Sequence, residues 1–557
     1  MVYNDDKISA TSTLSLFSSY TSLPFINSNY TFRERRDNLN HVKGKNNSID
    51  WPVFIISGGT LLLFVIAGIL NQDFVTRLVN QLFTLSATYF GGVYQIIMLI
   101  TFIMALVLAF SKYGNIRLGK MDRPEIGNFR WISVIMCTLL AGGGVFWAAA
   151  EPLSHFLQVP PHFEGVSGAT SEAVVPALAT SFVDWGFLAW AVLGTLGTIV
   201  LMYAHYHRNA PLKPRSLLYP LLGDKISQKN VLGTLIDSFS IIAVAAGTIG
   251  PIGFLGLQAG YAFNQLLGLP NTFLVQAIII TVVVIIAAIS ALTGIYRGIQ
   301  ILSTYNVILS VFLVAAILTV GPALFIFDNY IESFGVYIQN FFTMSTFRRD
   351  DVWLSAWTVF FFAWFLGYAP MMGILVARIS RGRTIRQLVI AVAIISPVVT
   401  TFWFTVIGGT GIFQEISNPG VISSALDING APAAMIATTE QLPMGFILGL
   451  LFMIATVVFV LTTTDSMALA ISMAITGGGD PSGAMRVFWA LLMGAVAILL
   501  LTIGEDSISS LQSFIVVTAV PVALLMVTTF WTAPRVCREL AHEQFKTTTE
   551  NTNKHGR

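Results

Sequence analysis

The densest group of aromatic side chains in this sequence lies in the apolar stretch 353–376. Gly367 and Pro370 interrupt the stretch near its middle, which predicts a membrane helix that is broken there. A broken helix of this kind places rings and free backbone groups around a solute. We therefore expect the stretch to line a solute site. Its aromatic members from Trp357 onward are Trp357, Phe360, Phe361, Phe362, Trp364, Phe365 and Tyr368.

Two further tryptophans, Trp185 and Trp190, lie in the middle of another apolar stretch. Two interpretations stay open. The rings pack against neighbouring helices, or they form half of an aromatic cage that attracts a cation at about 0.5–2 kcal/mol per contact. Asp184 comes directly before Trp185 and is a costly charge within a membrane. Three alternatives stay open for Asp184: it pairs with a polar partner, it lines a cavity, or it lies near the interface.

Three consecutive glycines, Gly142, Gly143 and Gly144, follow Ala141 in the apolar stretch 131–152. Each glycine lowers helix stability by about 1 kcal/mol relative to alanine. One interpretation is an unwound stretch whose carbonyls meet a solute or an ion. The other is close helix packing through small residues. The predicted break in 353–376 favours the unwound stretch, because interrupted segments in corresponding positions indicate a transport site.

A run of hydroxyl-bearing residues, Thr462 to Ser466 with Asp465 among them, ends a further apolar stretch. Hydroxyl and carbonyl oxygens without a soft ligand suit a small hard cation such as sodium. The alternative is that the threonines bond back to their own helix, which is frequent. Both interpretations stay open at this point.

The sequence contains no motif that is typical of an enzyme. HExxH, a Walker loop and GxSxG in a strand-to-helix context are absent, and no paired intramembrane carboxylates with a nearby base are predicted. No segment is large enough for a nucleotide-binding domain, which excludes an ATP-driven pump. Cys137 and Cys537 are expected to be unpaired thiols. We predict a secondary transporter or a channel that is not an enzyme and has no cofactor.

The composition indicates an all-α polytopic membrane protein. Apolar residues make up 55% of the chain and charged residues 10%, with a mean hydropathy of +0.75, whereas soluble proteins carry about 25% charged residues. Residues 1–50 are predicted to be a disordered cytoplasmic segment, 51–533 the transmembrane domain and 534–557 a short cytoplasmic tail. Each apolar stretch of roughly 20 residues is long enough to cross a bilayer. The twelve predicted spans are 51–71, 89–110, 131–152, 176–205, 231–250, 272–293, 300–326, 353–376, 387–408, 444–466, 484–503 and 510–532.

Basic residues mark alternate loops between the predicted spans, which places both termini on the cytoplasmic side. The loops after the second, fourth and eighth spans carry several each, and those after the third, fifth and ninth carry none. Two loops depart from this rule: one holds Arg77, and the other holds Arg348 and Arg349, which Asp350 and Asp351 offset. An odd number of spans would break the alternation.

At these residues the chain resembles the betaine/choline/carnitine transporter (BCCT) family over roughly 50–535. The most specific features are Trp357-Thr358 with the aromatic run after it and the basic segment Ala377–Arg386. The supporting features are Phe146-Trp147 to Glu151-Pro152, Trp185-Gly186 with Trp190, Thr462 to Ser466, and Gly298-Ile299 with Leu302, Ser303 and Asn306.

The resemblance implies twelve helices, of which the last ten form two five-helix inverted repeats of the LeuT type. Spans 3–7 would be one repeat and spans 8–12 the other, preceded by two extra helices. The solute would lie between spans 3, 4 and 8. Members of the family carry small solutes with a quaternary ammonium or sulfonium group, are often trimers and usually couple to sodium.

The resemblance also assigns candidate site residues by position. The sodium ligands would be the hydroxyls of Thr462 and Thr463 and the backbone carbonyls of Phe459, Leu140 and Cys137. The candidate substrate-binding residues are Trp185, Trp190, Phe365, Tyr368, Trp364, Phe362, Phe146, Ala141, Gly142, Gly143 and Gly144.

The chain departs from the family's pattern at several of these positions. Trp364 is kept, whereas Phe365 and Tyr368 replace tryptophans. Leu193 stands where a cage tyrosine is often found, and Asp184 replaces a histidine. Phenylalanine and tyrosine rings still attract cations, although less strongly than tryptophan. We expect the pocket to keep its preference for a cation and to differ in shape.

These features predict sodium-coupled uptake of a methylated onium solute across a bacterial inner membrane. Glycine betaine, choline, carnitine and dimethylsulfoniopropionate are the candidate solutes. The expected partners are the solute, the lipid bilayer and two further copies in a homotrimer, with no nucleic acid. One alternative is a sodium-independent exchanger of the carnitine/butyrobetaine type. Another, of a different class, is a channel or a membrane sensor.

Overall fold

The structure is a computed structural model that describes residues 49–555, except 141–142, 294–295, 478–480 and 504–506. Side chains at 137–140, 293–303 and 546–555 are not part of the description. The predicted N-terminal segment 1–50 therefore lies almost entirely outside the described residues. Within them every regular element is helical, apart from one isolated bridge between Arg117 and Thr384.

Eighteen helices, which we number α1 to α18, build the described part of the chain. In chain order their bounds are Trp51–Leu70, Gln72–Phe110, Asn128–Leu140, Gly143–Leu157, Val174–Trp185, Phe187–Gly194, Leu196–Met202, Val231–Leu267, Phe273–Thr293, Tyr296–Val320, Ala323–Gln339, Thr358–Ile379, Ile385–Ile390, Ser396–Ser417, Gly445–Thr476, Gly483–Leu500, Ser507–Val527 and Thr529–His555.

Short helical segments connect the numbered helices or continue them. They are Lys112–Asn115, Ser171–Ala173, Tyr203–His207, Pro214–Leu218, Tyr219–Leu222, Asp224–Ser227, Phe341–Ser345, Asp351–Ala356, Ala391–Ile395, Ser423–Asn429, Ala431–Ala433 and Ala434–Glu440. The segments Tyr203–His207 and Ala391–Ile395 are single π-helical turns.

Ten helical stretches among the described residues, some of them made of successive numbered helices, are long and apolar enough to cross a membrane. An eleventh span results if Thr304–Val320 and Ala323–Gln339, which meet at 110°, count as one. The predicted span 131–152 is divided between α3 and α4, of 13 and 15 residues, and the two residues between them are not described. The all-α polytopic class is confirmed, while the count of twelve and the inverted repeat stay predictions.

The predicted break at Gly367 and Pro370 is wrong, because α12 runs continuously through both residues. A proline removes one backbone donor, and neighbouring helices in a membrane protein tolerate that loss. The chain instead breaks at Trp357, where φ is −122° and ψ is −96°. Two further breaks, at Gly186 and Thr195, divide the predicted span 176–205 into α5, α6 and α7.

The basic loops lie together at one end of the helices. Arg117 donates to the carbonyl of Gly382 at 2.9 Å, and the Leu118 amide donates to the carbonyl of Arg383 at 2.9 Å. Arg208, in the loop after α7, forms an ion pair with Glu543 of α18. The loops after the second, fourth and eighth predicted spans therefore share an end with α18, as the alternation of charge requires. The side of the membrane that this end faces stays a prediction.

A buried ion network joins the start of α1 to this same end. Arg215 contacts Asp50 at 3.1 Å and Asp237 of α8 at 2.7 Å, and Lys213 contacts Asp50 at 3.1 Å. All four side chains are buried. Buried charges are tolerated when each has a close partner of opposite sign, so this network fixes α1 against α8.

Candidate functional site

Trp185, the last residue of α5, is the centre of a cluster of aromatic rings within the helices. Its side chain is buried, at 3% exposure. Its ring centroid lies 5.2 Å from that of Phe361, 6.0 Å from Trp364 and 5.3 Å from Phe365. These three rings belong to α12 and meet Trp185 edge to face, an arrangement that aromatic pairs prefer. Phe404 of α14 approaches from another side at 5.0 Å.

The break at Gly186 sets the position of Trp185. A Cβ at residue 186 would lie 2.1 Å from the carbonyl oxygen of Phe182 and 2.9 Å from the hydroxyl of Tyr337. That hydroxyl accepts a hydrogen bond from the amide of Phe187 at 3.3 Å, and so serves one backbone donor that the break exposes. Only glycine fits at this position, which explains why the Trp-Gly pair ends α5.

Trp364 is held by its neighbours on both sides. Its indole Nε1 donates to the carbonyl of Gly247 in α8 at 3.1 Å. The ring of Phe365 lies nearly parallel to it, at 8° and 6.1 Å. A Cβ at Gly143 would lie 2.3 Å from the ring of Trp364, so this glycine lets α4 approach α12 closely.

Gly247 and Thr248 on α8 belong to the site, although no sequence pattern selects them. The Tyr368 hydroxyl forms a hydrogen bond with the hydroxyl of Thr248 at 2.9 Å. A Cβ at Gly247 would lie 2.1 Å from the Tyr368 ring and 3.1 Å from the Trp364 ring. These residues fix the orientation of two candidate substrate-binding side chains. In the sequence, the only sign that this part of α8 has a special role is a glycine inside the apolar stretch 231–250.

The structure brings three members of the predicted aromatic set into ring contact, Trp185, Trp364 and Phe365. The other four make no direct ring contact with these three, and Tyr368 makes none with any described residue. Trp190 is buried on α6, which packs along α12, but no ring contact joins it to another described residue. Phe362 is also fully buried without such a contact. Phe146 stacks on Phe254 at 5.0 Å and meets Trp147. Trp185 and Trp190 both lie inside the protein rather than against lipid.

Two of the four residues in the predicted unwound stretch Ala141–Gly144 are helical in the structure. Gly143 and Gly144 already belong to α4 and are buried, and Ala141 and Gly142 lie outside the described residues. The Gly144 carbonyl accepts a hydrogen bond from the indole of Trp403 at 3.2 Å. Gly143 and Gly144 therefore fit the packing interpretation, since both serve contacts with tryptophans of neighbouring helices.

The hydroxyl run on α15 shows both alternatives that the sequence allowed. The Thr462 hydroxyl bonds back to the carbonyls of Val458 and Phe459 at 2.9 and 3.0 Å. The Thr463 hydroxyl forms no hydrogen bond with any described residue, although the side chain is buried. Cys137 and Leu140 lie in the last turn of α3, where helical carbonyls lack intrahelical partners; their side chains are not described. The sodium site stays a prediction.

The expectation of no paired intramembrane carboxylates with a nearby base is wrong. Glu151 and His155 on α4 and Asp184 on α5 bring their ligand atoms within 4.8 Å of one another. All three are buried, and His155 Nε2 lies 3.7 Å from Glu151 Oε1. Asp184 lies 33 residues after Glu151 and 29 after His155, so only the packing of α4 on α5 brings it to the other two. Asp184 therefore lies among polar groups inside the protein, shielded from the surroundings.

The carboxylate cluster is connected directly to the aromatic cluster. The indole Nε1 of Trp185 donates to Glu151 Oε2 at 2.7 Å. A hydrogen bond from a neutral donor to a carboxylate is among the stronger ones in proteins. The ring orientation of Trp185 therefore depends on Glu151.

A Gly247→Ala variant should weaken solute binding at least about fivefold. The new methyl would overlap the Tyr368 ring, and overpacking of this kind costs about 1–3 kcal/mol. The ring would turn away and lose its bond to Thr248. Binding of radiolabelled glycine betaine to the purified protein measures the change. Gly367→Ala is the matched control, because the nearest atom to its Cβ is 3.5 Å away. Equal affinities in the two variants would contradict this role for Gly247.

Comparisons with known proteins show what the chain is similar to. Residues 52–542 match the family described as BCCT, betaine/carnitine/choline family transporter. Glycine betaine transporter 2 of Vibrio parahaemolyticus is 49% identical over 493 residues, covering 88% of this chain and 91% of the relative. The ectoine/hydroxyectoine transporter of Virgibacillus pantothenticus is 30% identical over 487 residues, covering 86% and 95%. A probable glycine betaine transporter of Desulfitobacterium hafniense is 31% identical over 477 residues, covering 85% and 95%.

Proposed function

Because the chain belongs to the betaine/carnitine/choline family of transporters, we propose that it carries a methylated onium solute into the cell through an aromatic cage around Trp185. It is a multi-pass membrane transporter rather than an enzyme, as its relatives are. The membrane would be the inner membrane of a bacterium, with the end that holds the basic loops facing the cytoplasm.

The observation that carries the proposal is the set of buried rings on three helices. Trp185 on α5 faces Trp364 and Phe365 on α12. Two further aromatic residues close to these in sequence are also buried, Trp190 on α6 and Tyr368 on α12. An onium head cannot donate hydrogen bonds, and the negative faces of aromatic rings are what recognises it. Desolvation within the helices strengthens each contact to about 2 kcal/mol.

Glycine betaine is the solute that the comparisons favour. One relative, 49% identical, is named a glycine betaine transporter, and another, 31% identical, is named a probable glycine betaine transporter. The third is named for ectoine and hydroxyectoine. Choline, carnitine and dimethylsulfoniopropionate carry the same kind of methylated cationic head and are the competitors to test.

Sodium is the ion that we propose drives uptake. The support is Thr463, whose buried hydroxyl keeps both its donor and its lone pairs free of other described residues. Thr462 keeps its oxygen lone pairs available while its proton bonds within α15. Hydroxyl and carbonyl oxygens are the ligands that sodium prefers. We also propose a homotrimer, as the family resemblance implies.

Uptake of labelled glycine betaine into proteoliposomes tests this proposal. We expect accumulation that requires an inward sodium gradient and saturates with solute. Uptake that needs solute on both sides and ignores sodium would establish the exchanger instead. A current that does not saturate would establish a channel. Undiminished affinity in a Trp190→Ala variant would remove Trp190 from the cage.

A further inference from the structure

Six carboxylates are buried in the described part of the chain, and five of them have hydrogen-bond partners. Asp50 and Asp237 pair with Arg215, and Asp465 pairs with Arg486 at 2.9 Å. Glu415 accepts four hydrogen bonds from the loop that follows α14, and Glu151 accepts one from Trp185. Among the described residues, no donor lies in hydrogen-bond geometry to either oxygen of Asp184, although this side chain is completely buried and the Thr358 hydroxyl is close enough to interact with it.

Within the described part of the chain, the surroundings of Asp184 contain no permanent positive charge. Neither Asp184 nor Glu151 forms an ion pair with a lysine or arginine of the described residues. The groups that face the pair are His155 on α4, the Ser181 hydroxyl and the Trp185 indole on α5, the Thr358 hydroxyl on α12 and the Tyr337 hydroxyl on α11. His162, in the loop after α4, is the other titratable group near His155. Burial lowers the pKa of His162 to about 4, so it is uncharged at neutral pH.

Two carboxylates this close cannot both carry a charge in a dry, low-dielectric site without a cation. Paired carboxylates in such surroundings share a proton. The Asp184 oxygens and His155 Nε2, to which the described residues make no hydrogen bond, supply the acceptors that would hold it. A sodium ion suits the cluster less well, because an imidazole nitrogen is not one of its preferred ligands.

We propose that Asp184, Glu151 and His155 hold a proton that the bound solute displaces. The connection is Trp185, whose indole bonds to Glu151 and whose ring, according to the proposed function on which this inference rests, faces the onium head. A cation within about 6 Å of that ring centre also lies near the carboxylate pair. Its field favours the pair in the ionised form, so solute binding expels the shared proton.

Linkage fixes the direction of the pH effect. Because the proton and the solute cation compete, the affinity for solute rises as pH rises and the cluster loses its proton. We expect release of up to about one proton per bound solute and an affinity at least about tenfold higher at the alkaline end of the transition.

Calorimetry of the purified wild-type protein with glycine betaine tests the proposal. Titrations in phosphate and in Tris at one pH give the number of protons released, because the two buffers differ in ionisation enthalpy. Asp184→Asn keeps the shape of the side chain and should bind the solute with no proton release and no pH dependence. Glu151→Gln, whose amide oxygen still accepts from Trp185, is a second variant if Asp184→Asn does not fold. Glu415→Gln is the control for loss of a buried carboxylate, and its proton release should equal that of the wild type.

The outcomes separate the two proposals. Binding by the wild type with the same heat in both buffers would overturn the proton site alone. Proton release that persists in both Asp184→Asn and Glu151→Gln would also overturn it, as would a loss of the pH effect on adding EDTA, which would identify a bound metal ion. No binding of glycine betaine or any other onium solute in any buffer would overturn the proposed function itself.

Discussion

A Trp185→Ala variant should bind glycine betaine roughly a hundredfold more weakly than the wild type. Loss of one desolvated cation–π contact costs about 2 kcal/mol, or about thirtyfold in Kd. The lost apolar contact with the methyl groups adds to this. Trp185 is the residue that meets three rings of α12 at once, so no neighbour replaces its face. Binding of radiolabelled glycine betaine in detergent measures the change.

Two further variants show which property of Trp185 matters. Trp185→Phe keeps an aromatic face but loses the indole donor to Glu151, and should retain most of the affinity, within about tenfold of the wild type. Trp531→Ala removes a tryptophan that is 65% exposed on α18 and should leave binding unchanged. An unaltered Kd in Trp185→Ala would show that the solute binds elsewhere.

A Thr463→Val variant should need at least about tenfold more sodium for half-maximal uptake. Valine has nearly the same shape, so the exchange removes the hydroxyl and little else. A lost contact between a polar oxygen and a charged group costs about 1.5–3 kcal/mol, which corresponds to roughly ten- to a hundredfold in affinity. Uptake into proteoliposomes at a series of sodium concentrations gives the shift.

Thr464→Val is the matched control for this experiment. Its hydroxyl lies one residue further along α15 but already bonds to the carbonyl of Val460 at 2.8 Å, and it is fully buried. We expect the sodium dependence of this variant to equal that of the wild type. A sodium dependence that is the same in Thr463→Val as in the wild type would remove Thr463 from the ion site.

The sequence predicted the class of the protein and the aromatic part of the site for a physical reason. Apolar stretches long enough to span a bilayer are unmistakable, and charge alternation places the loops. The rings of Trp185, Trp364 and Phe365 belong to two such stretches, and the structure brings them into contact. Local composition was sufficient in these cases.

The remaining features depend on contacts between distant residues. The cluster of Glu151 with Asp184 follows from the packing of α4 on α5, and the bond between Thr248 and Tyr368 joins residues 120 positions apart. The predicted break at Pro370 failed for a related reason, because packing in the interior stabilises α12 despite the missing donor. At Gly186 packing has the opposite effect, because the helix breaks where the sequence predicted none. A side chain there would overlap the carbonyl of Phe182 and the hydroxyl of Tyr337.

The most direct test compares glycine betaine with tert-butylacetate, the carbon isostere whose head carries no charge, in binding to the wild-type protein. The two molecules share their shape and their carboxylate and differ only in the charge of the methylated head. If aromatic faces around Trp185 recognise that charge, glycine betaine binds and tert-butylacetate binds at least about tenfold more weakly. Equal binding of the two would contradict the cage.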